Sequence, residues 1–128
     1  MLPPRSGTCD MHALIIEQDA WVAFAIEDAL RNIGYTSFSF AVSAQDAFAF
    51  ARMRCPDLIT SAIRLGEGSG IDTVRAICSE RPVAVVVITS TSWEVREHAP
   101  DLPVVQKPFV QRDLEQAVSM AVSRVSAG

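Results

Sequence analysis

Short apolar runs alternate with longer amphipathic stretches along most of the chain, from His12 onwards. Five runs predict buried β-strands: Ala13–Ile16, Thr36–Phe40, Leu58–Ser61, Val83–Ile88 and Val104–Gln106. The fourth run is almost entirely β-branched, which is typical of a strand buried on both faces of a parallel sheet. An amphipathic stretch follows each run. The pattern therefore predicts five successive β/α units.

Apolar residues at helical spacing predict four well-formed helices and one weak one. The well-formed helices are expected over Trp21–Ile33, Ser43–Arg54, Ile71–Glu80 and Gln111–Val125. Gly34 is placed as the C-cap of the first, and Ser43 with Asp46 resembles a capping box at the start of the second. Pro100 and Pro103 interrupt the fourth crossover, so only Trp93–Ala99 is expected to be helical there, for one or two turns.

Length and composition indicate one globular domain. The chain has 128 residues, 49% of them hydrophobic and 20% charged, which is enough apolar surface for a single core. We expect this domain to span residues 12–127, after a flexible leader over residues 1–11. The leader has no apolar signal-peptide core, and no later run is long enough to span a bilayer. A cytoplasmic protein is therefore expected.

The charge pattern indicates the class of partner, and the cysteine pattern indicates the state of the thiols. The net charge is −4 and the basic residues do not cluster, so we expect a protein partner and no nucleic acid. Three widely spaced cysteines predict reduced thiols and no zinc site: Cys9, Cys55 and Cys78. His12 and His98 stand at no catalytic spacing from an acid or nucleophile and are expected to be ordinary surface or strand-end residues.

The residues that directly follow the predicted strands carry the candidate chemistry. In open α/β sheets, ligands bind beyond the carboxyl ends of the strands. The residues at these ends are Glu17, Gln18 and Asp19 after the first strand, Ala62 after the third, Thr89 after the fourth, and Lys107 and Pro108 after the fifth. The Gly-rich loop over residues 66–70 lacks the lysine of a phosphate-binding loop, so we interpret it as a turn that opens the third helix.

Five short segments, in this order, resemble the receiver domains of bacterial response regulators. They are Leu14–Asp19, Pro56–Leu65, Gly68–Asp72, Val87–Thr89 and Lys107–Phe109. The resemblance covers nearly all of the chain after His12. It implies a flavodoxin-like fold like that of the chemotaxis regulators, a doubly wound five-stranded parallel sheet in the order 2-1-3-4-5. It also implies a signalling role in a two-component system or phosphorelay, and no enzymatic activity.

The resemblance places Ala62 where the family carries the aspartate that accepts a phosphoryl group. The family's magnesium-binding acidic pair corresponds to Glu17 and the neutral Gln18. Thr89 and Lys107 match the residues that contact the phosphoryl group, and Pro108 follows the lysine in a peptide bond that is often cis in the family. Alanine offers no nucleophile, and magnesium favours carboxylate oxygens. We therefore expect no bound cofactor and weak or absent magnesium binding.

Two further positions concern the output of such a domain. The aromatic residue that usually partners the strand-end hydroxyl corresponds to Val104, so the familiar rotation of an aromatic side chain is not expected. Trp21 and Phe24 lie off the apolar stripe of the first helix and are candidate partner contacts. Trp21 folding back over the strand ends near Ala62 is the competing interpretation.

Three functional hypotheses follow. The preferred one is a stand-alone degenerate receiver that acts by protein–protein interaction, with a histidine kinase, a phosphotransfer or effector protein, or a second copy as partner. The second keeps phosphorylation, either with Asp57, Ser61 or Asp19 as acceptor or with Ala62 as a laboratory replacement of an aspartate. The third is a flavodoxin-like ligand-binding protein, because fold alone does not decide function.

Overall fold

The computed structural model describes residues 11–66 and 68–127. The predicted leader thus lies outside the described residues except for Met11. The Met11 carbonyl accepts hydrogen bonds from the amides of Thr36 (3.0 Å) and Ser37 (3.2 Å). Met11 is therefore already tied to the start of the second strand.

The elements alternate as the apolar pattern predicts. In chain order they are β1 (His12–Ile16), α1 (Ala20–Ile33), β2 (Ser37–Ala41), α2 (Ala44–Met53), β3 (Leu58–Ser61), β4 (Arg64–Leu65), β5 (Gly68–Ser69), α3 (Gly70–Glu80), β6 (Ala84–Thr89), α4 (Ser92–His98), β7 (Val104–Gln106) and α5 (Gln111–Ala127). Helix α4 has 7 residues, in agreement with the one or two turns expected between the prolines. Of the described helices, none combines the length and apolar character needed to cross a bilayer.

Five parallel strands form the central sheet in the order β2-β1-β3-β6-β7. This is the order 2-1-3-4-5 of the five predicted strands, so the predicted fold class is confirmed. The sequence did not predict β4 and β5, which pair antiparallel around Gly66. Gly66 has φ +61°, a conformation that favours glycine. The Ser69 side chain then caps α3 by accepting from the Asp72 amide at 3.1 Å.

Alternate residues of the central strands point to opposite faces of the sheet, where they pack into two apolar layers. Ala13 and Ile15 of β1 pack with α1 and α5 on one face, while Leu14 and Ile16 pack with α2 and α3 on the other. Burial of an aliphatic side chain of this size stabilises the fold by about 1.5–3 kcal/mol. A third, smaller cluster lies beneath α4 and contains Val87, Val95 and Ala99. The strands are thus held rigidly from both faces, and their carboxyl ends are fixed in space.

The end residues of α1 fix where it leaves and rejoins the sheet. The Asp19 carboxylate accepts from the amides of Trp21 (2.9 Å) and Val22 (3.4 Å), so Asp19 is the N-cap. Gly34 is the C-cap with φ +126°, as predicted. Ser43 also caps α2 as predicted, since its hydroxyl accepts from the Asp46 amide at 3.1 Å.

His12 is the first residue of β1, which agrees with the predicted strand-end position, but it is buried and the alternative of a surface residue is wrong. Its ring nitrogens hydrogen-bond to the hydroxyls of Ser37 (2.8 Å) and Ser39 (3.0 Å) on β2. Burial, and then the nearby Arg54 guanidinium, lower the pKa of His12 below its ordinary value. A polar ring is accommodated here because the neighbouring strand supplies a hydroxyl for each nitrogen.

Candidate functional site

The parallel register brings the strand-end residues to one edge of the sheet. Ile16 pairs with Ser61 in the ladder between β1 and β3, and Thr89 pairs with Gln106 in the ladder between β6 and β7. The residues that follow these ladders, Glu17, Ala62 and Lys107, therefore emerge at the same edge as Thr89. This edge is the candidate functional site.

Glu17 and Lys107 form an ion pair across this edge. Lys107 Nζ lies 3.5 Å from Glu17 Oε1, with the two side chains 27% and 7% exposed respectively. The other carboxylate oxygen, Oε2, accepts from the Asp19 amide at 3.1 Å. Lys107 is followed by a cis peptide bond to Pro108. A nearly buried carboxylate requires a counter-charge, and Lys107 supplies it.

The oxygen atoms around Glu17 do not form a magnesium site. The side-chain nitrogen of Gln18, Nε2, donates to the Val42 carbonyl at 3.3 Å. The Asp19 carboxylate is engaged in capping α1. Within residues 11–66 and 68–127, no three His, Cys, Asp or Glu side chains come together in a way that could hold a metal ion. Magnesium takes about six oxygen ligands in near-octahedral geometry. The donor set therefore does not fit the cation that the family resemblance implies.

Ala62 is half-buried directly beyond β3 and offers the edge only a methyl group and its backbone. Its amide donates to the Ile16 carbonyl at 3.0 Å, and its carbonyl accepts from the Ser61 hydroxyl at 2.8 Å. Gly70 approaches the same carbonyl so closely that a Cβ built on it would lie 1.7 Å from the Ala62 oxygen. The backbone at this position is thus closely packed, although the side chain carries no reactive group.

Thr89 is buried, and its hydroxyl is satisfied within its own loop. Its Oγ1 lies 3.2 Å from Thr91 Oγ1 and accepts from the Thr91 amide at 3.0 Å. This is the local bonding that the hydroxyl of a strand-end threonine readily forms. Val104 is half-buried against the cluster beneath α4 that contains Val87 and Val95. Its small aliphatic side chain fills that cluster and has no polar atom with which to engage Thr89.

Two polar contacts at this edge were not predicted. Arg64 forms a two-point ion pair with Glu94 of α4, at 2.8 and 3.2 Å. Gln106 accepts from the Ser92 amide at 3.0 Å and donates to the Ser90 carbonyl at 2.5 Å. The only sequence signal for Gln106 is a polar residue between two valines and the lysine. The Arg64 contact depends on how β4 and α4 approach each other, which no local pattern encodes.

Trp21 and Phe24 lie on the solvent side of α1, 84% and 64% exposed. Trp21 therefore does not fold back to fill the volume near Ala62. An open depression beside it contains the following residues: Val22, Ala25, Ser90, Lys107, Pro108 and Phe109. Since the lining is mainly apolar and Lys107 lies within it, this surface is continuous with the strand-end edge.

Comparison of the chain with known proteins finds a matching family and similar proteins. The family model described as response regulator receiver domain matches residues 13–119. The transcriptional regulatory protein PdtaR of Mycobacterium tuberculosis H37Rv is 33% identical over 115 residues, which are 87% of this chain and 56% of that protein. The chain thus spans about half the length of PdtaR.

Solved structures show the same architecture. The receiver domain of the PhyR response regulator from Erythrobacter litoralis matches with a TM-score of 0.79 and 26% identity, covering 89% of this chain and 91% of that chain. PhyR from Brucella abortus matches with a TM-score of 0.83 and 25% identity, covering 92% of this chain and 50% of that chain.

Proposed function

The chain belongs to the response regulator receiver domain family, and from this premise we propose that it signals by protein–protein interaction without aspartyl phosphorylation. The family assignment replaces the flavodoxin-like alternative. The observation that carries the proposal is Ala62 at the position of the acceptor, in an edge that retains Glu17, Thr89 and Lys107. The protein is therefore a signalling module whose state does not depend on a phosphoryl group.

The chemistry of phosphoryl transfer supports this proposal. Aspartyl phosphorylation requires a carboxylate nucleophile and a cation that neutralises the phosphoryl oxygens. Ala62 removes the nucleophile, and Gln18 removes one of the carboxylates that would hold the cation. Lys107 is engaged with Glu17, and the Thr89 hydroxyl with Thr91. The remaining groups thus have structural partners of their own.

Other candidate acceptors are poorly placed. Asp57 precedes β3 at the opposite end of the sheet, where its carboxylate accepts from the His12 amide at 2.8 Å. The Ser61 hydroxyl is buried against the Ala62 carbonyl. Asp19 is exposed, but its carboxylate caps α1. None of the three has Lys107 as its hydrogen-bond or ion-pair partner among the contacts of the described residues.

Intact-mass measurement after exposure to a small acyl phosphate with Mg²⁺ tests the proposal. We expect the mass of the protein to remain unchanged under conditions that phosphorylate an ordinary receiver in the same tube. A base-labile phosphoryl adduct on this chain would overturn the proposal. Peptide mapping of that adduct would then identify the acceptor.

Restoring the acidic residues tests the alternative of a phosphorylatable site that lacks only its acceptor. Thr89 and Lys107 favour this alternative, because both residue types that contact a phosphoryl group are retained. We expect Ala62→Asp alone to gain little phosphorylation, since Gln18 leaves the cation site short of a carboxylate. Ala62→Asp combined with Gln18→Asp should gain more. Efficient phosphorylation of the single variant would instead show that the missing acceptor at position 62 is the only change that prevents phosphorylation.

We further propose that the partner is a protein that contacts α1 through Trp21 and Phe24. Two exposed aromatic side chains next to an apolar depression are typical of an interaction surface, in which a few aromatic residues supply much of the binding energy. Once a binding protein is identified, Trp21→Ala should weaken its affinity at least tenfold, by about 1.4 kcal/mol. Met53→Ala is the matched control, because Met53 is a large apolar residue of α2 whose exposure, 80%, is close to the 84% of Trp21. Equal losses for both variants would refute the assignment to α1.

A further inference from the structure

A continuous chain of polar contacts connects the end of β6 to the loop after β3. Thr89 Oγ1 lies 3.2 Å from Thr91 Oγ1, and the Thr91 hydroxyl lies 2.7 Å from Glu94 Oε1. The guanidinium of Arg64, on the far side of the edge, then contacts both oxygens of Glu94. Four side chains thus join β6, α4 and the loop beyond Ala62.

The direction of each hydrogen bond in this chain is determined. An ionised carboxylate only accepts, so the Thr91 hydroxyl must donate to Glu94. The Thr91 hydroxyl has a single proton, which is donated to Glu94. The Thr89 hydroxyl must therefore donate to the Thr91 oxygen. The Thr89 oxygen in turn accepts from the Thr91 amide at 3.0 Å. Hydrogen bonds from Arg64 and Thr91 lower the pKa of Glu94, which keeps it ionised. Consecutive bonds of this kind polarise and strengthen one another.

Gln106 adds a second tie between α4 and the sheet. Thr91 is the N-cap of α4, but its side chain makes no capping hydrogen bond. The Gln106 side-chain oxygen instead accepts from the Ser92 amide at 3.0 Å, while its nitrogen donates to the Ser90 carbonyl. Gln106 therefore supplies from β7 the cap that α4 lacks, and it fixes the loop that leads into the helix.

The apolar side of α4 is anchored as well. Val95 and Ala99 are fully buried against Val87, and Val104 packs at the margin of this cluster. The residue next to the network, Trp93, remains 55% exposed. The ties from Arg64 and Gln106 thus hold the helix in a position in which Trp93 faces solvent.

We propose that the side chains of Arg64, Thr91, Glu94 and Gln106 form a lock that holds the β6–α4 loop and α4 in one conformation. This inference rests on the proposed function, in which contacts within the chain, and not a phosphoryl group, fix the conformation around the carboxyl edge. The lock supplies contacts of this kind, which need neither a phosphoryl group nor a cation. Its consequence is that the surface bearing Trp93 is presented constitutively.

Amide hydrogen exchange of the full chain, resolved to α4, tests the lock. Arg64→Ala should increase exchange in α4 by about threefold to tenfold, since a tie to a mostly shielded carboxylate is lost. Gln106→Met should do the same for the first turn of α4. Arg52→Ala is the matched control, because Arg52 pairs with Glu80 between α2 and α3 and is as exposed as Arg64, 68% against 69%. It should leave exchange in α4 unchanged.

The outcomes separate the lock from the proposed function. Exchange in α4 within about twofold of the unmodified chain for both Arg64→Ala and Gln106→Met would overturn the lock. The absence of phosphorylation would be unaffected by that result. Thr91→Val removes the hydroxyl relay without removing a charge, and it should also increase exchange. An increase confined to Arg64→Ala would contradict a connected network.

Discussion

The two ends of the sheet carry polar clusters of similar size but different construction. At the amino end, His12 of β1 is bonded to Ser37 and Ser39 through its ring and to Asp57 through its amide. Arg54 also donates to the Ser37 hydroxyl, at 2.8 Å. These contacts join β1, β2 and the residue before β3. Each residue of this cluster has a hydrogen-bond partner from another part of the fold, as buried polar groups require.

At the carboxyl end, the polar groups stand at the positions that the family resemblance assigns to phosphoryl chemistry. Here Glu17 and Lys107 pair at 3.5 Å, Thr89 bonds within its own loop, and Ala62 contributes no polar side-chain atom. The polar cluster at the amino end thus holds separate strands and loops of the fold together. At the carboxyl end, Glu17, Lys107 and Thr89 make structural contacts at the positions that the family resemblance assigns to a reactive site. On the proposed function, the comparison teaches that a site can lose its reaction and still keep its architecture.

The largest effect is expected at the backbone contact between Gly70 and Ala62. Gly70→Ala places a Cβ 1.7 Å from the Ala62 carbonyl oxygen and 2.7 Å from Ser61 Oγ, so α3 must move. We expect the free energy of unfolding to fall by about 3 kcal/mol in urea denaturation. Gly68→Ala is the control, since the nearest atom to its Cβ lies at 3.4 Å. Similar losses for both glycines would contradict close packing at the carboxyl end.

A smaller loss is expected when the amino-end cluster is opened. Asp57→Ala leaves the His12 amide without its acceptor and should lower the free energy of unfolding by about 1–2 kcal/mol. Asp57→Asn retains a side-chain oxygen and should cost less than half as much. Denaturation that does not distinguish the two variants would show that this hydrogen bond contributes little.

Between the two ends, a gain in stability is expected at Thr60. Its Oγ1 is the one buried side-chain nitrogen or oxygen without a hydrogen-bond partner in the described part of the chain. Thr60→Val removes this group at nearly constant volume and should raise the free energy of unfolding by about 1 kcal/mol. Thr73→Val should lower it, because the Thr73 hydroxyl donates to the Ser69 carbonyl at 2.8 Å. A loss at Thr60 would mean that its hydroxyl has a partner in solution.

The smallest effect is a dependence of stability on pH from His12. The folded pKa of His12 lies below its ordinary value of 6.5, so the unfolded chain binds more protons near that pH. The neutral ring faces Arg54 and Asp57, and the stability it provides is present above pH 6.5 and declines as the pH falls toward the folded pKa. His12→Gln should flatten the stability profile between about pH 7 and 5. An unchanged slope in that variant would refute this origin.

The sequence predicted the architecture well, because burial imposes periods that local patterns record. Ile15 and Val86 lie in short apolar runs that predict strands. Pro100 and Pro103 interrupt the fourth crossover and predict a short α4. The family positions at the carboxyl end were likewise placed by their order after each strand. What could be predicted was therefore which residues meet at this edge.

Several contacts that join separate elements at the two ends of the sheet could not be predicted. The burial of His12 depends on hydroxyls from a neighbouring strand, and the pair of Arg64 with Glu94 depends on the approach of β4 to α4. The position of Trp21 off the apolar stripe did not decide between solvent and the strand ends. These are tertiary contacts that no local period encodes, and the β4–β5 hairpin escaped prediction because two-residue strands carry no period.

The most direct test of a receiver that signals without phosphorylation is an amide-resolved NMR spectrum recorded with and without a small acyl phosphate and Mg²⁺. The resonances to follow are those of Ala62, Thr89, Ser90 and Thr91 at the carboxyl edge. We predict that their chemical shifts remain those of the untreated chain, because the proposed function has Ala62 in place of the acceptor and a donor set around Glu17 that does not fit the cation. A second, slowly exchanging set of resonances for these residues would contradict that prediction and show a site that still responds to phosphoryl transfer.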